Sequence, residues 1–180
     1  MQSKCDVNQS EMTTDWKELA IRLGSLKIDG SESGSDHLAQ VALKSILGTE
    51  WITSAVDHVV ANRPGSELAL GCLRAVCSWE AVQYAFLIYK ASTGERADRA
   101  VWLIKHIAHP KTIEWVDDFL EDQNVAHWGL GLLDQLVWCE RAPDLRRIEQ
   151  LLEKASGLYE GALEPQVRFI RSNLTQGNSC

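Results

Sequence analysis

The residues able to do chemistry in this chain are present, but not at spacings that would make them work together. Five histidines and five cysteines could supply metal ligands or nucleophiles: His37, His58, His106, His109 and His127, with Cys5, Cys72, Cys77, Cys139 and Cys180. His106 and His109 are spaced for one helix face, but Pro110 cuts that helix short and no second ligand pair accompanies them. Cys72 and Cys77 fall on different faces of one helix, which suits neither a zinc knuckle nor a redox pair. General acid–base work needs two carboxyls in unlike environments. The pairs Asp117–Asp118 and Glu121–Asp122 crowd neighbouring turns and are expected to be equally solvated. No phosphate-cradling glycine loop, His-Glu-x-x-His helix or nucleophile elbow occurs. The expectation is a protein that is not an enzyme, with no metal and no cofactor.

Aromatic and acidic residues form a more pointed constellation. The chain has seven tryptophans. Trp102 and Trp128 adjoin apolar helix stripes, and Trp16, Trp51 and Trp79 stand near helix starts, so packing between helices accounts for them. Trp115 is different. It lies off the apolar stripe of its helix and shares a face with Asp118 and Asp122. The candidate partner-binding residues are Asp57, Tyr84, Trp115, Asp118, Glu121 and Asp122, with Tyr84 and Trp115 side by side. Aromatic anchors inside an acidic rim suit a basic protein or peptide. Arg146 and Arg147 would end the patch. The competing reading buries Tyr84 and Trp115 between helices and leaves the acids to solubilise them; both stand at this point.

The elements that must position these residues are written in a repeat of about thirty residues. Apolar positions recur as Ile52, Val82, Ile113, Leu145, then Ala55, Ala85, Val116, Ile148. Two further series are His58, Ile88, Phe119, Leu151 and Val59, Tyr89, Leu120, Leu152. Offsets of three, six and seven make one stripe of an α-helix. A preceding helix in each unit carries Leu43, Leu73, Leu103, Leu132 and Leu47, Cys77, Ile107, Leu136. In register with Trp115 one unit earlier is Tyr84, while Asp118 aligns with Leu87 and then Asp57. The predicted pairs are 36–47 with 49–62, 66–77 with 78–91, 95–108 with 111–122 and 125–140 with 143–156. Helices over 14–23 and 161–174 would close the two ends. Thr14 or Asp15, Thr49 and Ser78 are expected N-caps, Gly48 a helix stop, and Pro143 a first-turn residue. Residues 27–35 read as a loop. Residues 1–13 and 175–180 read as flexible tails around one domain, 14–174.

Charge narrows the partner. The formal charge is −7 with a pI near 5.2. A negative surface repels phosphates, so nucleic acid is an improbable ligand, whereas a basic protein is attracted. No apolar run reaches bilayer length, the first residues lack a signal-peptide core, and the odd cysteines fit reduced thiols. A cytoplasmic location without membrane partner is expected. Oligomeric state stays open.

Paired short helices with glycine or proline turns resemble HEAT-like repeats of the α-solenoid class, over roughly residues 36 to 156. The period is shorter than a standard HEAT repeat and nearer the bilin-lyase type, and the Asp-Val-Arg ladder of many HEAT repeats is missing. The resemblance implies an all-α, right-handed α-solenoid of about four helix pairs whose second helices line a concave groove. Size, acidity and the absence of catalytic groups also resemble bacterial immunity proteins that neutralise a cognate toxin, as in contact-dependent inhibition. That implies a toxin inhibitor whose partner is a basic toxin domain. The alternative is a HEAT-repeat scaffold or adaptor, or a bilin-lyase-like helper.

Overall fold

Helix starts follow side chains that can satisfy the unpaired N–H groups of a first turn. In the computed structural model, which describes residues 15–22, 50–142 and 144–176, Asp15 Oδ1 accepts from the N–H groups of Lys17 and Glu18 at 3.0 and 3.1 Å and opens α1 (Trp16–Arg22). Then come α2 (Glu50–Val60), α3 (Ser66–Val76) and α4 (Trp79–Ala91). Gly65, at φ 85°, supplies the left-handed turn before α3, and Ser78 Oγ caps α4 by accepting from Ala81 N–H at 3.2 Å. After α5 (Glu95–Ile107) a 3₁₀ turn, Pro110–Trp115, runs into the short α6 (Val116–Glu121). α7 (Ala126–Trp138) is followed by α8 (Leu145–Ser156), capped by Asp144, whose Oδ1 accepts from Arg146 N–H at 2.8 Å. A 3₁₀ turn, Tyr159–Gly161, precedes α9 (Glu164–Gln176). The described residues contain helices and no strand.

The expected core stripe is the observed one. Ile52, Ala55, Val59, Val82, Ala85, Ile88, Tyr89, Ile113, Val116, Phe119, Leu120, Ile148, Leu151 and Leu152 are buried. Burying each large apolar side chain contributes about 1.5–3 kcal/mol, which short helices need because they are marginal alone. Leu145 departs from the series: as the first residue of α8 it is 49% exposed. His58 is half-buried, with Nε2 donating to Pro64 O at 2.8 Å. Of the partner series, Leu73, Leu103, Leu132, Ile107 and Leu136 are buried. The expected helix 36–47, the loop 27–35, Leu43, Leu47, Gly48, Thr49, Pro143 and the tail residues 1–13 and 177–180 lie outside the described residues. α9 runs to Gln176, just past the expected edge at 174.

Alternate helices lie side by side. α1, α3, α5, α7 and α9 touch in succession, and across from them α2 touches α4 and α6 touches α8. The closest packing joins α2 to α3, α4 to α5 and α6 to α7. These contacts run across the boundaries of the expected pairs. Short turns explain the shift, since Gly65, Gly94 and the turn at Asp122–Val125 fold each second helix back on the helix that follows it. Close approach has its own residue: a Cβ on Gly129 would lie 2.9 Å from Phe119 Cβ, so α7 meets α6 only because position 129 has no side chain.

The predicted helix 111–122 is the main local departure. His109 Nδ1 accepts from Lys111 N–H at 3.3 Å, and the buried Thr112 hydroxyl donates to His109 O at 2.6 Å. Pro110 stands in this first turn, and the winding stays 3₁₀ as far as Trp115. In a 3₁₀ helix residues three apart eclipse, so Trp115 lies in line with the buried Thr112.

Candidate protein-binding face

Side-chain ties run along the surface made by α2, α4, α6 and α8. The Asp57 carboxylate accepts from the Tyr84 hydroxyl at 3.1 Å and stands 3.8 Å from Arg96. Lys90 Nζ lies 2.9 Å from Asp118 Oδ2. Asp117 receives Arg147 and also Lys154, the latter at 2.9 Å, and Lys154 reaches Glu121 at 3.0 Å. Lys154, with Arg147, holds the Asp117 carboxyl below the usual carboxylate range, against the opposing effect of burial. The hydrogen bonds that Lys154 donates to Asp117 and Glu121 raise its own pKa.

The predicted site residues therefore divide. Asp57 and Tyr84 are partners, and Asp118 and Glu121 share α6 with Asp117. Asp122 turns away to build a loop: its Oδ1 accepts from the backbone and side-chain N–H groups of Asn124 at 3.0 and 3.1 Å. Its Oδ2 stands 3.4 Å from the Tyr89 hydroxyl. Burial first, and Asp122 second, push the Tyr89 phenol up to about 12. Trp115 is half-buried and is not seated beside Tyr84. Its ring stacks on Trp79, with centroids 5.0 Å apart, and on Phe86 at 4.3 Å. Lys111 lies over Trp79 and Lys90 over Phe86, placing a cation at each end of this aromatic run. Trp115 closes the junction between α4 and the 3₁₀ turn.

Sequence reasoning passed over one exposed residue here. Leu87 is 64% exposed on α4, three residues past Tyr84. Its signal was in the repeat alignment, where an apolar side chain occupies the register of Asp57 and Asp118. Lys90, Arg147 and Lys154 were also missed as partners, because residues about thirty positions apart meet only once the helices pack. Next to Asp57, an open depression of about 540 Å³ is lined by Thr53, Ser54, Ala61, Arg63 and Arg96.

Chemistry finds little purchase elsewhere. Among the described residues no three His, Cys, Asp or Glu side chains gather to hold a metal ion. His106 packs edge-on against Trp102, with centroids 4.3 Å apart, and burial followed by Lys105, Arg74 and Arg99 lowers its pKa to about 4. His109 is occupied in the turn described above. Burial raises the Cys77 thiol, with Arg141 opposing. No helix among the described residues is long and apolar enough to cross a membrane. Comparison with protein-family models, with curated proteins and with solved structures finds no match to this chain.

Proposed function

We propose that this chain is a non-catalytic, protein-binding helical-repeat domain that acts as an immunity protein, neutralising a basic bacterial toxin in the cytoplasm. In this reading the stack is a right-handed, HEAT-like solenoid of about four helix pairs with capping helices. The α2–α4–α6–α8 surface is its binding face. One observation carries the reading: Leu87 stands exposed in an otherwise polar row, with Tyr84 and Asp57 on one side and Asp118 and Glu121 on the other. An apolar residue ringed by charge is the arrangement of a small interface core within a polar rim. The lysines and arginine on this face do not cancel it. Exposed ion pairs are worth about 0–1 kcal/mol, so a partner's cations can replace Lys90 or Lys154 at small cost.

The test is to seek a toxin gene beside this chain's gene and to measure association of the chain with its purified product; a neighbourhood without one would count against the immunity reading. Asp118→Lys with Glu121→Lys should slow association about tenfold or more at low salt, because steering depends on complementary charge. Leu87→Ala should mainly speed dissociation. Asp122 is left intact, since it holds the turn at Asn124. Unchanged kinetics in all of these variants would remove the face from consideration.

A further inference from the structure

We infer that Trp138 and the acidic turn beside it form a second docking surface, one that takes an arginine- or lysine-bearing segment of a partner protein. This rests on the protein-binding reading but not on the α4 face. Trp138 ends α7 and is 80% exposed, unlike Trp115, whose ring stacks on Trp79 and Phe86. An indole left in water is an anchor awaiting a partner, since tryptophan leads the residues that dominate interface energetics. Leu145, 49% exposed, opens the next helix after the turn.

The surrounding charge selects the partner. Asp134 lies one turn before Trp138 on the same side of α7, and its Oδ1 accepts from Asn173 Nδ2 at 3.3 Å. Glu140, at φ 54°, turns the chain out of α7 and is exposed, as is Asp144. Arg141, the cation within this turn, is drawn inward. Its Nη1 donates to Ile107 O at 3.1 Å and to Cys77 Sγ at 3.4 Å. Arg146 borders the surface on the α8 side, and Arg147 is committed to Asp117. A second copy of the chain would bring these carboxylates against their own counterparts. A guanidinium or ammonium over the indole face gains cation–π attraction and enters a surface whose exposed carboxylates attract it.

The experiment titrates the full chain with an amidated peptide of alternating arginine and leucine at low ionic strength, by calorimetry and tryptophan fluorescence. Trp138→Ala should weaken binding about tenfold or more, as expected of an anchor residue. Glu140→Gln with Asp144→Asn should weaken it and flatten its salt dependence; asparagine keeps the cap of α8. In a Leu87→Ala background, which removes the α4 face as a competing site, Trp138→Ala should still weaken binding about tenfold. Full affinity in Trp138→Ala overturns the docking surface, as does the absence of binding to the parent chain. Loss in Leu87→Ala alone also overturns it, while leaving the protein-binding reading intact on the α4 face. Self-association abolished by Trp138→Ala would assign the surface to a second copy and overturn the proposal as well.

Discussion

The Tyr84 hydroxyl donates to the Asp57 carboxylate at 3.1 Å, tying α4 to α2. Both residues are half-buried; burial first, and then Asp57, raise the phenol, with Arg96 opposing. The pair shows how the row of second helices is held together at its surface as well as in its core. Removing the hydroxyl with Tyr84→Phe should cost about 0.5–1.5 kcal/mol, the usual net worth of one such hydrogen bond. Urea denaturation of Tyr84→Phe, Asp57→Asn and the double variant would measure the coupling. Strictly additive losses would show that the bond contributes nothing.

Trp115 serves as packing, so its replacement should act on stability. Trp115→Ala removes a ring stacked on Trp79 and Phe86 and should cost about 2–4 kcal/mol, somewhat below a fully buried truncation. Thermal unfolding reads this directly. In the parent chain, Trp115 emission should resist acrylamide, while Trp138 should be quenched readily. Strong quenching of Trp115 would contradict the stack.

Gly129→Ala tests the approach of α7 to α6. The new methyl would lie 2.9 Å from Phe119 Cβ, which cannot move without shifting its backbone. A loss of about 1–3 kcal/mol is expected from overpacking, despite the better helix propensity of alanine. A stabilised variant would show that the two helices have room to part.

His106 makes stability depend on pH. The unfolded chain takes up its proton near pH 6.5, the folded chain not until about 4, because burial disfavours the charged ring. Between these values the unfolded state binds more protons, so stability is complete above pH 6.5 and is lost as pH falls towards 4. Partial exposure limits the effect to about 1–2 kcal/mol after solvent screening. Denaturant midpoints from pH 7 to 4 should fall in the parent chain and fall less in His106→Gln.

The repeat was legible in the sequence because a helix has a fixed period. Ile52, Val82, Ile113 and their companions recur at offsets that bury one stripe, and they are buried. Ser78 and Asp15 were legible as caps because a side-chain oxygen next to a free N–H acts locally. Leu145 was misplaced because the same apolar type at a helix start has no turn before it to pack under. The stacking of Trp115 on Trp79 and Phe86 was not legible, because Pro110, His109 and Thr112 hold a tighter winding than the α-helical spacing assumed.

By itself, then, the sequence determined an all-helical chain, the residues of its core stripe and most helix limits, since these depend on spacing and on neighbours within a turn or two. The tertiary structure decided which helices pack closest. It also decided which acids are spoken for by Lys90, Arg147 and Lys154, and that Leu87 and Trp138 stand in solvent while Trp115 does not. The reason is physical. Exposure and charge pairing depend on what comes from about thirty residues away, and one turn of helix carries no record of it.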